Sequence, residues 1–273
     1  MTDIGADSRA LHQRGKPFTL MNVWDAGSAK VAAGLGAAAL GTTSDGQAFT
    51  LGKLDMGEVT RDEALAHAEM IVAATPLPVS GDFENGYGDA PDYVADTVRL
   101  AAEAGLAGCS IEDTNMADHS AYAFDMAVER VRAGASAARA LGQDFVFVAR
   151  ADGVMNGVYD MDEAIRRIEA FDQAGADCLY VPMPPSMEAL ARVCQVTQKP
   201  VNAIAAGRFA KVTRAEFAAA GVARISLGSA LSKVTHAALL KASKAILNDG
   251  DFTDLLNGAS SDEIEALLTQ DRA

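Results

Sequence analysis

The most constraining feature of this chain is a regular alternation of short apolar runs with longer helical runs. Eight segments of the 273-residue sequence have the character of buried strands, and a helical run follows each one. Strands that alternate in this way form a parallel sheet covered by helices. Eight units over this length predict a closed (β/α)8 TIM-type barrel in preference to an open doubly wound sheet. The predicted strands are residues 18–23, 37–40, 79–81, 106–111, 145–149, 178–181, 201–205 and 223–227.

Domain organisation follows from the even composition of the chain. Hydrophobic residues make up 49% and charged residues 22%, which is ordinary for a globular protein. No shift in composition and no linker rich in Pro or Ser divides the sequence. We therefore expect one domain over residues 1–273, with a helical extension from about residue 229 to residue 273.

The net charge and the cysteines limit the partners and the compartment. The formal charge of −14 disfavours nucleic acids and anionic membranes as partners. Cys109, Cys178 and Cys194 form no close-spaced motif, as is usual for reduced thiols. The N-terminus does not resemble a signal peptide, and no apolar run reaches about 18 residues. These features predict a cytoplasmic protein.

Polar residues recur at or just after the ends of the predicted strands. In barrel enzymes the carboxyl ends of the strands form the rim that carries the active site. The repetition of polar residues at this one position, strand after strand, therefore predicts a functional site there. The residues concerned are Trp24, Asp25, Thr43, Ser44, Asp82, Glu112, Asp113, Arg150 and Asn202.

Residues 80–89 are the richest part of this rim. Asp82 and Glu84 lie two apart at a strand end, so both carboxylates can face one point, and Gly86 and Gly88 permit a sharp turn beyond them. Clustered carboxylates suit a hard cation such as Mg²⁺. The alternative is that Asp82 caps the next turn and Glu84 is solvated.

Four acids on one rim, namely Asp55, Asp82, Glu84 and Glu112, would repel one another without a cation. Mg²⁺ takes few direct carboxylates, so one acid would bind it and the others would hold its waters; Mn²⁺ is an alternative ion. Arg150 follows a very apolar strand, and its guanidinium suits a carboxylate or phosphonate. The alternative is a structural ion pair between Arg150 and Glu112.

The loop that contains Thr43, Ser44 and Asp45 offers hydroxyl and backbone N–H groups for the second anionic end of a substrate. A metal, an arginine and such a loop together indicate a small anionic 2-oxo acid as substrate. The metal would bind its carboxylate and keto oxygens and stabilise an enolate.

These segments resemble the isocitrate lyase/phosphoenolpyruvate mutase superfamily over nearly the whole chain. The resemblance rests on the ordered motifs at residues 22–28, 42–44, 51–55, 81–88, 110–113 and 148–150. It implies a barrel whose last helix is exchanged between the subunits of a homodimer or homotetramer. It also implies that Asp82 binds Mg²⁺ directly, that Asp55, Glu84 and Glu112 act largely through water, and that residues 43–45 and Arg150 contact substrate.

The departures from this superfamily narrow the reaction. The loop at residues 114–121 reads Thr-Asn-Met-Ala-Asp-His-Ser-Ala and lacks the Lys-Lys/Arg-Cys-Gly-His motif of the tricarboxylate lyases. It also lacks the lysine of the phosphonopyruvate enzymes, its Asn115 comes too early, and Pro182 stands where the mutases have histidine. Glu84 replaces the usual aspartate.

The sequence therefore predicts a Mg²⁺-dependent lyase that acts like an oxaloacetate decarboxylase on a small 2-oxo acid. The catalytic candidates are Arg150 and Glu112, with His119 as the candidate base if the reaction needs one. The substrate-binding candidates are Trp24, Thr43, Ser44, Asp45, Arg150 and Asn202. Two alternatives stay open: phosphonopyruvate hydrolysis or rearrangement, and a non-catalytic protein that binds an oxo acid or a metal.

Overall fold

A closed barrel of eight parallel strands forms the centre of the computed structural model, which describes residues 3–269. Each strand pairs with the next along the chain, and the last closes the barrel on the first, with Phe18 opposite Arg224. The predicted (β/α)8 architecture is confirmed. The strands are β1 Phe18–Asn22, β2 Ala39–Gly41, β3 Val79–Asp82, β4 Gly108–Glu112, β5 Val146–Arg150, β6 Cys178–Tyr180, β7 Val201–Ile204 and β8 Arg224–Ser226.

Most of the helices within the described residues begin at side chains that satisfy their first N–H groups. The fourth helix has a capping box: Thr60 Oγ1 accepts from the Glu63 N–H, and the Glu63 carboxylate accepts from the Thr60 N–H. Two short 3₁₀ turns occupy Gly207–Phe209 and Thr253–Asn257. The helices are α1 Ile4–Leu11, α2 Ala26–Gly34, α3 Ser44–Thr50, α4 Arg61–Ala73, α5 Pro91–Glu103, α6 Phe124–Ala140, α7 Met161–Ala174, α8 Met187–Gln195, α9 Arg214–Ala219, α10 Ala230–Asp249 and α11 Ser261–Leu268.

The segment after β2 differs from its prediction as a loop. Helix α3 begins there at Ser44, and the Thr43 side chain caps it by accepting from the Gly46 N–H. The helix is held in place by Gln47, which is buried and donates to the Glu63 carbonyl oxygen. Seven residues are too few to show a helical period, which is why the sequence pattern did not indicate α3.

The core of residues 3–269 consists of three clusters of buried apolar side chains. The largest lies between the barrel and its surrounding helices, where side chains such as Phe147 and Ile168 are fully buried. Two smaller clusters lie inside the barrel, one formed by Val146, Val148 and Cys178 and the other by Phe18, Leu20 and Ala39. The interior is therefore filled in part, and the space left open lies towards the C-terminal ends of the strands.

Helix α10 extends away from the barrel and of its residues only Ser232 is buried. Leu239, Leu240 and Leu247 are exposed on it. The later helix α11 returns to pack on α2, where Gly34 approaches Leu267 closely. Within residues 3–269, none of the helices combines the length and apolar character needed to cross a bilayer.

Candidate active site

A cavity of about 260 Å³ opens at the C-terminal ends of the strands. The ends of β2, β3 and β5 and the start of α3 contribute its polar side chains. The parallel topology explains this convergence, because the carboxyl ends of all eight strands meet at one rim. The predicted site residues that line it are Thr43, Ser44, Asp45, Asp55, Asp82, Arg150 and Asn202.

Arg150, the last residue of β5, lies at the centre of the charged network. Its Nη1 lies 2.9 Å from Asp82 Oδ1, and its Nη2 lies 3.0 Å from Glu112 Oε2. A third carboxylate, that of Asp152, accepts from Nε at 3.2 Å and from Nη2 at 2.6 Å. The predicted contact between Arg150 and Glu112 is thus one of three. The guanidinium is fixed on several sides and retains 12% exposure.

Asp82 connects this network to the neighbouring strand and helix. Its Oδ2 accepts from the Ser44 N–H at 3.3 Å, and its own N–H donates to Thr42 Oγ1 at 2.8 Å. Ser110 Oγ lies 3.5 Å from Oδ1. The loop N–H that was expected to face a substrate therefore points at the Asp82 carboxylate. This arrangement fixes Asp82 at the rim, where its side chain is 20% exposed.

Glu84 is buried two residues further on, in a left-handed backbone conformation with φ of 47°. Neither of its carboxylate oxygens has a hydrogen-bond partner within residues 3–269, and Asp55 Oδ1 is likewise buried without one. Burial, followed by the charges of Asp55 and Asp82, raises the pKa of Glu84 to about 8. Burial and the Asp82 charge also raise the pKa of Asp55. Asp55 and Glu84, which form no ion pair within residues 3–269, therefore lie close to Asp82 at the rim.

Glu112 has a different environment. It is buried, and burial raises its pKa well above the usual range even though the Arg150 charge acts in the opposite direction. It does not line the main cavity, whereas Glu84 lines a second hollow of about 520 Å³ next to it. The other three predicted metal acids thus surround Asp82, and the four do not share one open surface.

These acids fit a cation that is held mainly through water. Within the part of the chain that is described, no three His, Cys, Asp or Glu side chains form a ready-made metal site. Mg²⁺ needs no such cage, since it usually keeps several waters and takes one or two carboxylates. The buried oxygens of Glu84 and Asp55 that lack partners are suitable acceptors for such waters. Asp82, exposed between them, is the suitable direct ligand.

The start of α3 is tied to α10 across the mouth of the cavity. Asp45 Oδ2 accepts from Ser229 Oγ at 2.5 Å and lies 2.5 Å from Lys233 Nζ. Lys233 lines the cavity while its side chain remains 58% exposed. Asp45 thus positions the ammonium group of Lys233 at the entrance of the cavity. Its place in the sequence did not indicate this role.

Besides Glu112, two predicted catalytic or substrate-binding residues are not brought to either hollow. Trp24 is half-buried and its carbonyl oxygen lies 2.8 Å from His67 Nε2, at the outer side of the rim. His119 is exposed on the loop after β4, with φ of 58°. Neither side chain lines the main cavity or its neighbour. The predictions that Trp24 binds substrate and that His119 acts as a base therefore receive no support from the geometry.

Asn202 lies deeper than predicted. It is the second residue of β7 rather than a residue at its end, and it is fully buried. Its Nδ2 donates to Ser226 Oγ at 2.9 Å, and its Oδ1 accepts from Arg224 Nε at 2.8 Å. The expected strand 201–205 was placed correctly, but Asn202 supports the interior of the barrel instead of standing on its rim.

Sequence reasoning missed two charged residues of the site. Asp152 is fully buried and holds Arg150 by two hydrogen bonds. The sequence contained a signal for Asp152, because it lies two residues after Arg150 and residues two apart on an extended chain point the same way. Arg224 lines the cavity from the first residue of β8. A search confined to strand ends does not find a residue at a strand start.

The surrounding loops are built on two buried polar centres. Asp113 accepts from the Asp152 N–H at 2.8 Å, from Tyr159 Oη at 2.8 Å and from Arg167 Nη1 at 2.9 Å. Arg130 on α6 donates to backbone carbonyl oxygens of the turn that follows Glu84. Both groups are structural, and they hold the loops that carry Glu84 and Asp152 in place.

Comparisons with known proteins agree with the barrel fold. A structure from Burkholderia cenocepacia, provisionally described as a lyase/mutase, is 41% identical, covers 98% of each chain and superposes with a TM-score of 0.93. Oxaloacetate acetylhydrolase in complex with the product oxalate is 25% identical, with a TM-score of 0.86 over 97% of this chain and 94% of that one. The 2,3-dimethylmalate lyase of Eubacterium barkeri is 29% identical over 80% of this chain and 78% of its own length.

The sequence profile of the phosphoenolpyruvate phosphomutase family matches residues 8–247, which is most of the chain. The relatives and structural neighbours are lyases, hydrolases and mutases of the same superfamily. The resemblance inferred from the motifs is therefore confirmed. This chain belongs to the phosphoenolpyruvate phosphomutase family and is an enzyme of the isocitrate lyase/phosphoenolpyruvate mutase superfamily.

Proposed function

We propose that this enzyme is a Mg²⁺-dependent lyase that cleaves a carbon–carbon bond of a small 2-oxo acid, with oxaloacetate as the first candidate. One observation carries the proposal. Arg150 and Asp82 form an ion pair at the cavity, next to two acids whose buried carboxylate oxygens lack partners. Such a site combines a place for a hard cation with a fixed guanidinium for an anionic substrate.

The residues would divide the work as follows. Asp82 would hold Mg²⁺ directly, while Asp55, Glu84 and Glu112 would hold its waters. The chemistry that Mg²⁺ supplies when bound is the stabilisation of negative charge on the keto oxygen. Arg150 would bind and orient the acid, because Asp152 and Glu112 fix the guanidinium from behind.

The exposure of the titratable side chains on the loop after β4 favours loss of CO₂ over an aldol-type cleavage. When a 3-carboxy-2-oxo acid decarboxylates, the electrons of the breaking bond pass to the enolate and no proton has to be removed first. Water then supplies the proton at C3. An aldol-type cleavage needs a base, and the titratable side chains of the loop, Asp118 and His119, are both exposed.

The test is product analysis by ¹H and ³¹P NMR with Mg²⁺ present. Oxaloacetate should give pyruvate faster than a blank containing Mg²⁺ without protein, and Asp82→Ala should return the rate to that blank. Formation of oxalate and acetate would show hydrolysis instead. Phosphate or phosphoenolpyruvate from phosphonopyruvate would favour P–C chemistry, for which the family profile is an argument. No product from any of these acids would leave a non-catalytic binding protein as the better proposal.

We also infer a homo-oligomer, a dimer or a tetramer, in which α10 packs on a neighbouring subunit. Its exposed Leu239, Leu240 and Leu247 support this proposal, because isolated proteins rarely leave so much apolar surface uncovered. The three cysteines are free and buried, which supports a reducing, cytoplasmic location.

A further inference from the structure

Arg224 is a buried cation inside the barrel. As the first residue of β8 it lies opposite Asn202 of β7 and Phe18 of β1. Arg224 and Ser226 both line the cavity, as expected for residues two apart on one strand. The residue is 3% exposed. It therefore forms part of the floor of the cavity, below the rim that carries Asp82 and Arg150.

The side chain of Arg224 has one neutral hydrogen-bond partner. Its Nε donates to Asn202 Oδ1 at 2.8 Å, and Asn202 is oriented for this by donating its own amide to Ser226 Oγ. No carboxylate within residues 3–269 lies at ion-pair distance from Arg224, whereas Arg150 has three. Within the same residues, the hydrogen bond to Asn202 is the one that its guanidinium makes, so Nη1 and Nη2 are left without partners.

The groups around Arg224 do not supply a paired counter-charge. Cys178 and Tyr180 are neutral, since burial raises the pKa of both. Asp82 acts on Arg224 from beyond ion-pair distance and is itself paired with Arg150, which is a like charge, and burial lowers the pKa of Arg224. A buried cation without a paired anion is costly, because its hydration is lost and one neutral hydrogen bond replaces only part of it. A guanidinium held in this state is complementary to an anion that enters the cavity.

We propose that Arg224 binds the second carboxylate of a small dicarboxylic substrate whose other end faces Asp82 and Arg150. The inference rests on the proposed function for the identity of that other end. The planar guanidinium matches a carboxylate with two parallel hydrogen bonds. Ser80 and Ser110 line the cavity with short polar side chains, and a volume of about 260 Å³ suits a small acid. Arg224 thereby selects dicarboxylates over monocarboxylates.

Calorimetry with two stable acids of equal length tests this selection. L-Malate and 2-hydroxybutyrate differ in the second carboxylate, and both persist in the presence of Mg²⁺. The unmodified enzyme should bind malate about 10-fold or more tightly than 2-hydroxybutyrate, as expected for a charge-assisted hydrogen-bonded pair. Arg224→Met should remove this preference and leave the affinity for 2-hydroxybutyrate unchanged.

A second variant separates a binding role from a structural one. Asn202→Asp keeps the shape of the side chain and gives Arg224 an internal carboxylate, so it should also abolish the preference while the guanidinium stays in place. Both variants should unfold, without added acid, at a temperature equal to or above that of the unmodified enzyme. A preference for malate that persists in both variants would overturn the proposal, as would its absence from the unmodified enzyme.

Calorimetry measures binding of the two acids, so its result does not depend on turnover by the enzyme. Preference for malate without any product from oxaloacetate would support the Arg224 subsite and contradict the proposed reaction. Product formation without the preference would support the reaction and contradict the subsite.

Discussion

Arg150 and Asp152, two residues apart in the sequence, form a two-point ion pair in which Nε and Nη2 of the arginine both donate to the carboxylate. Asp152 is fully buried, so its carboxylate interacts with Arg150 rather than with solvent. The pair lies directly behind the face of Arg150 that meets Asp82. The orientation of the guanidinium in the cavity therefore depends on a residue that does not itself line the cavity.

We expect Asp152→Asn to lower kcat/KM by about 10-fold or more, because the neutral amide holds Arg150 less firmly. The free energy of unfolding should fall by about 1–3 kcal/mol, since two charge-assisted hydrogen bonds are weakened. Steady-state kinetics and urea denaturation measure the two effects. Asp162→Asn, at an acid whose side chain is 82% exposed, is the matched control and should change neither. Unaltered kinetics in Asp152→Asn would show that Arg150 does not depend on it.

Arg130 should be essential for the turn after Glu84. It is 2% exposed, lies over the ring of Tyr122 at 4.2 Å, and donates to the carbonyl oxygens of Asn85, Gly88 and Asp89. Arg130→Met leaves these acceptors without a donor, so the free energy of unfolding should fall by about 3 kcal/mol or more. Arg132→Met, at an exposed position of the same helix, should have little effect in the same urea titration. Equal losses in the two variants would contradict this assignment.

The pH dependence of stability should contain a contribution from His12. Its ring is half-buried and lies edge-on to Phe18 at 5.1 Å, and its Nδ1 lies 2.8 Å from the Ser8 carbonyl oxygen. Burial, and then the charge of Arg224, lower the pKa of His12 from 6.5 to about 3. Between these values the unfolded chain binds more protons, so the contribution is fully present above pH 6.5 and is lost as the pH falls.

The loss should approach about 1.4 kcal/mol per pH unit below pH 6. His12→Leu cannot take up this proton, and its free energy of unfolding should therefore fall less steeply than that of the unmodified protein between pH 7 and pH 4. Urea titrations at several pH values give both curves, and their difference isolates His12 from the carboxylates that titrate in the same range. Parallel curves would show that His12 does not contribute.

Assembly should depend on the exposed apolar face of α10. A variant with Leu240→Glu and Leu247→Glu places charges where we propose contact with a neighbouring subunit, and its mass in solution should shift towards that of one chain. Light scattering coupled to gel filtration measures this mass. Lys244→Glu, at an exposed polar position of the same helix, should keep the mass of the unmodified protein. If the unmodified protein is itself monomeric, the proposed exchange of α10 is wrong.

The barrel was predictable because each strand is a short apolar run, which can be recognised from its own residues without knowledge of distant contacts. The strand predicted at residues 145–149 is β5 displaced by a single position. The site was predictable where it lies at the rim, as for Asp82 and Arg150. What could not be predicted depends on contacts between distant segments, such as the buried environment of Glu84 and the exposure of His119. Arg224 was missed for a related reason. From the sequence, a charged residue at the start of a strand is expected to be exposed to solvent, and its burial follows only from the closure of the barrel.

The contacts of Asp113 determine which segments around the site can move separately. This one carboxylate joins the ends of β4 and β5 to helix α7 through Asp152, Tyr159 and Arg167, so these segments must move as a rigid unit. The rigid unit ends at Thr114 and Ala121, which form an isolated bridge at the base of the loop between them. The exposed tip of that loop is held mainly by hydrogen bonds between its own residues, such as those that Ser120 donates to Asp118. The tip of this loop can therefore change conformation at little cost to the charged network that Asp113 holds together.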